Sequence, residues 1–244
     1  MVKSAERVLD ILEFLRQSGP STFSQICTSL DLPKSSASML LKSLVGKGYL
    51  VLDQRTHLFK PTFRVALLGE GISDRAVIDN RALSEALSNL HDITGMTVVV
   101  GLRNGAYVQY VHVLSHSRNL LRRLPVGKLR PLSYNPLGKV LLAECEDDQI
   151  RLVIRHNNAA RHESLEMTPE AELFAQITAI RDQGYALDSG FSWPDAMIAA
   201  LAIHPIADLP PLSVAVGGLQ QDFERCGNDI VKQLFAAMAP WRRK

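Results

Sequence analysis

Cysteine is scarce in this chain of 244 residues, and Cys27, Cys145 and Cys226 stand far apart. Three such residues suggest neither a disulfide framework nor a zinc site. The seven histidines are scattered as well. His112 and His116 lie four apart, but no acidic or thiol side chain accompanies them, and a bound metal needs three or four converging ligands. No metal and no cofactor is expected. Long apolar runs are missing too. None reaches the roughly 18 residues that crossing a bilayer takes, so no membrane partner is expected. The opening residues Met1 to Arg7 have no apolar core of the signal-peptide kind, and the expected location is cytoplasmic. Also lacking are a Gly-x-Ser-x-Gly nucleophile elbow, a phosphate-cradling P-loop and the spacings of zinc enzymes. Asp188, His204 and Ser213 can be drawn together as a notional triad, but loose triads can be drawn on most chains of this size. An enzyme built on the second half is therefore a remote reading. Internal repeats and low-complexity tracts are absent.

What the chain does have is apolar material for packed cores, 46% of its residues, with 21% charged. Its length suits two domains. The net charge of +2 hides an asymmetry: residues 1–63 hold eight Lys/Arg against five Asp/Glu, and residues 64–244 nineteen against twenty. Between Leu32 and Lys60 five basic residues (Lys34, Lys42, Lys47, Arg55, Lys60) face one acid, Asp53. A local basic excess of this kind suits phosphate contact.

Periodicity predicts the elements. Val8, Ile11, Leu12 and Leu15 share one face of a first helix, which Ser18-Gly19-Pro20 ends. Ser21 or Thr22 caps a short second helix with Phe23, Ile26 and Leu30 inside. Pro33 fits the first turn of a third, whose Ala37, Leu40, Leu41 and Leu44 face inward and which Gly46 and Gly48 close. Tyr49–Leu52 and His57–Lys60 then read as a hairpin. Three short helices and a hairpin form the layout of a winged helix. Arg64 to Arg75 leads into a helical stretch with Leu83, Ala86, Leu87 and Leu90 on one face and Gly95 at its end. The predicted organisation is a winged helix-turn-helix over 1–63, a stiff helical linker over 64–78 and a second domain over 79–244. In that domain Thr97–Leu102 and Tyr107–Val113 flank Asn104-Gly105, a strong hairpin signal. A strand and loop near 120–130 and helices near 137–143, 147–156 and 170–183 follow. Gly184 to Asp188 reads as a turn, Met197–Ile203 and Leu212–Val216 as buried strands, and Asp229–Ala239 as a closing helix. Mixed in this way they predict an α+β domain around an antiparallel sheet.

A helix-turn-helix presents its second helix to the major groove, N-terminus first. The outward face of the third helix is Lys34, Ser35, Ser36, Ser38, Met39 and Lys42. Small hydroxyls at its start let phosphates approach the helix N–H groups. Lys34 and Lys42 neutralise phosphates, and Ser38 and Met39 reach base edges, the Met against a thymine methyl. The hairpin adds Arg55, His57 and Lys60, and Thr22 completes the candidate DNA-binding set. The partner implied is double-stranded operator DNA.

The segment Leu32-Pro33-Lys34-Ser35-Ser36-Ala37-Ser38-Met39-Leu40-Leu41-Lys42-Ser43-Leu44 resembles the recognition-helix motif of the IclR family of transcriptional regulators, GLPKST followed by RLLxTL. Gly48-Tyr49 is similar to the start of that family's wing. Pro131-Leu132-Ser133-Tyr134-Asn135-Pro136-Leu137-Gly138-Lys139-Val140-Leu141-Leu142-Ala143 resembles its PLHATALGKALLA stretch, Gly184-Tyr185-Ala186-Leu187-Asp188 its GYAxD, and Ile198-Ala199-Ala200 its IAAP strand. The likeness covers nearly the whole chain. It implies a GAF-like effector domain, assembly as a homodimer or homotetramer, and repression or activation of a catabolic operon in response to a small-molecule effector. By position the effector residues are Tyr134, Asn135, Leu137, Gly138, Asp188, Met197, Ala215 and Gly217.

Departures from the family pattern matter. Met39 stands where Arg is common, Asn135-Pro136-Leu137 replaces a smaller triplet, Met197 stands at a frequent Cys, and Ala215 and Gly217 stand where several members have Ser. A turn-capping role for Asp188 and plain packing for Met197 and Leu137 compete with ligand contact. A second reading follows from the lost polar positions: a constitutive DNA-binding protein whose pocket is filled by its own side chains.

Overall fold

The computed structural model describes residues 2–69, 80–115, 124–160, 169–189, 195–205, 210–226 and 229–243. The chain divides into two compact units, Met1–Ser73 and Asp74–Lys244. Most of the predicted linker, residues 70–78, lies outside the described residues.

In the first unit α1 (Lys3–Ser18) buries Ile11 and Leu15. The second helix, α2 (Phe23–Ser29), buries Ile26 and Cys27, and α3 (Lys34–Gly46) buries Ala37, Leu41 and Leu44. These side chains join Leu50 and Phe59 of the hairpin strands β2 (Leu50–Leu52) and β3 (Leu58–Pro61) in one core. Pro33 stands just before α3 as its cap residue rather than within its first turn. A third strand joins the predicted hairpin: β1 (Ser21–Thr22) pairs antiparallel with β3, placing Ser21 opposite Phe59. The short helix α4 (Phe63–Leu67) follows.

The second unit is an α+β layer structure, as expected. Helix α5 (Arg81–Thr94) ends at Gly95, which takes the left-handed conformation (φ 63°) that a glycine adopts without steric cost. Strands β4 (Thr97–Asn104), β5 (Tyr107–Leu114), β6 (Leu129–Pro131), β7 (Ala186–Ser189), β8 (Ala196–Ile203) and β9 (Leu212–Leu219) form, among the described residues, an antiparallel sheet in the order β6-β5-β4-β9-β8-β7. Helices α6 (Pro136–Ala143), α7 (Asp147–Ala159), α8 (Glu170–Gln183), α9 (Gln220–Cys226) and α10 (Asp229–Met238) complete it. Helices cover both faces, which is why β8 and β9 read as continuous apolar runs. Val98, Val100, Leu201, Val214 and Val216 pack on the side of α5 and α10. Val99, Tyr110, Ala200 and Ala215 pack on the side of α6, α7 and α8. One expectation changes. Ala186 to Ser189 form an edge strand rather than part of a turn, and the turn itself is confined to Gly184-Tyr185. Of the strand and loop predicted near 120–130, the described part is loop and turn over 124–128, then the short strand β6 at the edge of the sheet.

Candidate functional site

On the first unit, α3 is two-faced. Its inner side chains are buried, while Lys34, Ser35, Met39 and Lys42 are exposed and Ser36 and Ser38 half-buried. Met39 is 68% exposed, a large apolar side chain left open on a helix that has ample core to pack into. Pro33 offers no side-chain cap to the first turn of α3. The N–H groups there are thus available to an outside acceptor, the usual condition for a phosphate at a helix N-terminus.

The hairpin turn is organised by one carboxylate. Asp53 Oδ1 accepts the backbone N–H groups of Arg55 and Thr56 at 3.0 and 3.1 Å, and Oδ2 accepts Lys60 Nζ at 3.1 Å. Donation by the Thr56 amide, the Lys60 ammonium and the Arg55 amide lowers its pKa from 3.8 to about 2. The turn leaves Arg55 and His57 exposed, His57 in the left-handed region at φ 55°. Lys60, expected as a phosphate contact, is tied back to Asp53 and braces the wing. Thr22, also expected to touch DNA, is occupied as a cap: its hydroxyl accepts Gln25 N–H at 3.3 Å while Gln25 Oε1 accepts Thr22 N–H at 2.8 Å. One basic residue escaped the sequence reading because the domain was ended at residue 63. Arg64 is exposed, and its guanidinium stacks 5.1 Å from the centre of the Tyr49 ring beside the wing.

On the second unit the candidate effector residues divide. Pairing puts Asp188 opposite Ile198, and Ile198 opposite Gly217; Ala200 lies opposite both Ala186 and Ala215. Asp188, Ala215 and Gly217 therefore share the sheet face covered by α6. Met197 does not: it packs into the cluster on the other face, and the neighbouring Ile198 occupies the face with Asp188. Strand alternation reverses direction with each residue, so Met197 and Ile198 face opposite sides of the sheet.

The polar groups of this face are already engaged. Lys139 Nζ lies 2.8 Å from Asp188 Oδ2, with the two side chains 12% and 34% exposed. Asp188 is thus an ion-pair partner on an edge strand rather than a turn cap. Asn135 is fully buried and caps α6: Oδ1 accepts Gly138 N–H at 3.0 Å and Nδ2 donates to Pro131 O at 3.2 Å. Gly138 must be glycine, because a Cβ there would collide with the backbone of Leu132. Leu137 is core. Tyr134 donates its hydroxyl to Asn158 Oδ1 at 3.4 Å. A cleft of about 200 Å³ lies beside Asp188, bounded by Lys139, Gln176, Ile180, Gln183 and Leu187.

The notional triad does not assemble. Asp188 pairs with Lys139, the buried Ser213 hydroxyl donates to Gly101 O at 3.3 Å, and His204 Nε2 lies 3.2 Å from Glu144. Cys145 is no activated nucleophile either, since burial pushes its thiol pKa up although Arg103 Nη1 lies 2.9 Å away. Among the described residues no group of acidic, His and Cys side chains could hold a metal ion.

Comparison with known proteins decides the class. The chain matches the family model described as bacterial transcriptional regulator IclR C-terminal over residues 75–240, and the IclR helix-turn-helix domain over residues 4–54. The chain belongs to the IclR family. It is therefore a DNA-binding transcriptional regulator. This IclR-family regulator is 26% identical over 220 residues to the HTH-type transcriptional regulator BhcR of Paracoccus denitrificans, covering 89% of this chain and 77% of that one. It is 26% identical over 221 residues to the HTH-type transcriptional repressor AllR of Salmonella typhimurium, covering 88% and 79%. Its fold matches that of the Thermotoga maritima IclR at TM-score 0.69 and 18% identity, covering 98% and 97%. It also matches an IclR homologue from Microbacterium hydrocarbonoxydans complexed with 4-hydroxybenzoate, at TM-score 0.70 and 18% identity, covering 97% and 96%. Among the described residues no helix is long and apolar enough to cross a membrane.

Proposed function

We propose that this regulator reads operator DNA with α3 and its wing, and changes its hold on DNA when a small molecule occupies the Asp188 face of the second unit. The observation that carries the DNA half is the outward face of α3, with Lys34, Ser35, Met39 and Lys42 exposed above a packed inner face. Lys34, Lys42 and Arg55 would neutralise phosphates, and Ser38 and Met39 would touch bases. Arg64 joins them as a phosphate contact, and Lys60 holds the wing in shape. The test is the salt dependence of operator binding. The log–log slope should diminish by about 1 for Lys42→Ala, whereas Met39→Ala should leave the slope alone and relax preference at one thymine-containing position by roughly 1 kcal/mol or less. Affinity that stays flat between low and physiological salt would refute the reading.

For the effector half, the Lys139–Asp188 pair offers one cation and one anion at the edge of a largely apolar face. A small organic acid carrying a hydroxyl suits it, the carboxylate toward Lys139 and the hydroxyl toward Asp188. The 4-hydroxybenzoate held by the Microbacterium homologue has that chemistry. A second reading rests on the same residues: Asn135 spends its oxygen on Gly138 N–H and its amide on Pro131 O, and Leu137 and Ala215 are buried, as in a pocket filled from within. A thermal-shift series with hydroxy acids, beginning with 4-hydroxybenzoate, separates the two, since a ligand bound only by the folded state raises the melting temperature. Assembly as a homodimer or homotetramer, and control of a catabolic operon, complete the proposal.

A further inference from the structure

The second unit has another cleft, of about 250 Å³, where α6 and α8 meet the end of β8 and the C-terminal residues. Its floor is apolar, formed by Val140, Ile180 and Ala202, and its rim carries three arginines, one histidine and one glutamate. The rim groups are not equivalent. Arg181 is committed to the protein: Nε and Nη2 donate to the carbonyls of Ala143 and Cys145 at 3.0 and 2.7 Å, and Nη1 to Asp147 at 3.2 Å. It thereby closes the C-terminal end of α6. Glu144 is divided between His204 Nε2 at 3.2 Å and Arg243 Nη1 at 3.7 Å.

Arg242 differs from both. Its guanidinium lies over the Phe235 ring, 4.1 Å from the centroid, and against Gly184. Among the described residues no carboxylate or carbonyl accepts its side-chain N–H groups. A guanidinium fixed by stacking, with its donor fork unused, is prepared for a carboxylate or phosphate at little further cost in side-chain entropy. Arg243 is only loosely held by Glu144 and can turn to the same anion. With Arg181 compensated by Asp147, two guanidinium groups, Arg242 and Arg243, face the one Glu144 carboxylate; this excess gives the cleft a positive potential, and its apolar floor can take a short hydrocarbon body.

We propose that this cleft binds a small organic anion, its carboxylate or phosphate on Arg242 and Arg243 and its body on Val140, Ile180 and Ala202. A volume below the roughly 300–1,000 Å³ of drug-sized sites limits the ligand to one charged group and a short chain. The site shares Ile180 with the cleft beside Asp188 but none of its charged groups, so it stands whether or not that face takes an effector.

Calorimetric titration of the full chain with ethyl phosphate and with isobutyrate, at constant ionic strength in chloride, tests it. Saturable binding of at least one probe is expected, weakened about tenfold or more by Arg242→Gln, the loss of a charge-assisted hydrogen-bonding fork. Should R242Q alter the melting temperature, Arg243→Gln serves instead, with a smaller loss in the same direction. Absence of saturable heat from both probes up to ~10 mM, or wild-type affinity in both variants, overturns the proposal.

Discussion

At the residue scale, Asp53 organises the wing turn and Asn135 the start of α6. Asp53 is half-buried, and two backbone amides and Lys60 hold its pKa near 2. A carboxylate whose folded pKa is depressed contributes stability that is fully present above its unfolded value of 3.8 and is lost as pH falls through about 2. The wing turn should therefore loosen between about pH 4 and 2, with the Arg55 and Thr56 amides losing hydrogen-exchange protection, and Asp53→Asn should abolish that step. A turn equally protected at pH 2 and 5 would show that the amides do not depend on the carboxylate. Asn135 acts through α6. Asn135→Ala removes the cap and leaves Gly138 N–H without its side-chain acceptor, at a cost of about 1–2 kcal/mol. The second unit's melting transition should fall by roughly 2–4 °C for each kcal/mol. Asn135→Asp, which keeps the accepting oxygen, should recover most of the loss if capping is the reason. Equal losses in both variants would assign Asn135 to the Nδ2 bond with Pro131 instead.

At the scale of elements, periodicity carried most of the information. The inner faces of α1, α3 and α5 were legible because Ile11, Leu15, Ala37, Leu41, Leu44, Leu83, Leu87 and Leu90 recur at helical spacing and are all buried. The exposed face of α3 was legible for the same reason: what a helix does not bury it presents. The two-residue strand β1 was not, because it exists only through pairing with β3, whose partner residues Phe59 and Leu58 lie 38 and 36 positions along the chain from Ser21 and Thr22. The Lys139–Asp188 pair was equally silent, its members 49 residues apart. Register was silent as well. Met197 and Ile198 are both apolar in an apolar run, so no alternation marked which faces α6; only pairing with Gly217 and Gly218 assigns them. Met197→Ala should accordingly destabilise the α5–α10 side of the sheet without changing any effector response, whereas Ile198→Ala should change the response. Operator-binding titrations of the two variants with a hit from the thermal-shift series check this, and a response altered only in Met197→Ala would return the site to the other face.

At the scale of the whole molecule, one winged helix supplies too few base contacts for a unique genomic site, and two-fold pairing doubles them while demanding inverted half-sites in the operator. Ligand control adds a thermodynamic condition. An effector shifts DNA affinity only through its differential affinity for two arrangements of the assembly, typically about 1–3 kcal/mol, or 5- to 150-fold. If the effector is bound by the Lys139–Asp188 pair, that differential must pass through it, and the substitution that tests this has to spare the fold. Asp188→Ala would strand the Lys139 ammonium, which is 12% exposed, beside apolar neighbours, and the damage would mimic loss of response. Asp188→Asn keeps an oxygen for Lys139 and removes the charge. In that variant the operator affinity without effector should stay within about twofold of wild type, while the effector-induced change shrinks by about fivefold or more, toward the lower end of allosteric coupling. Fluorescence anisotropy of labelled operator, with and without a ligand found by thermal shift, measures both quantities on one sample. A full response in Asp188→Asn would make the pair a structural tie between α6 and the edge strand, and would place the effector elsewhere on the unit.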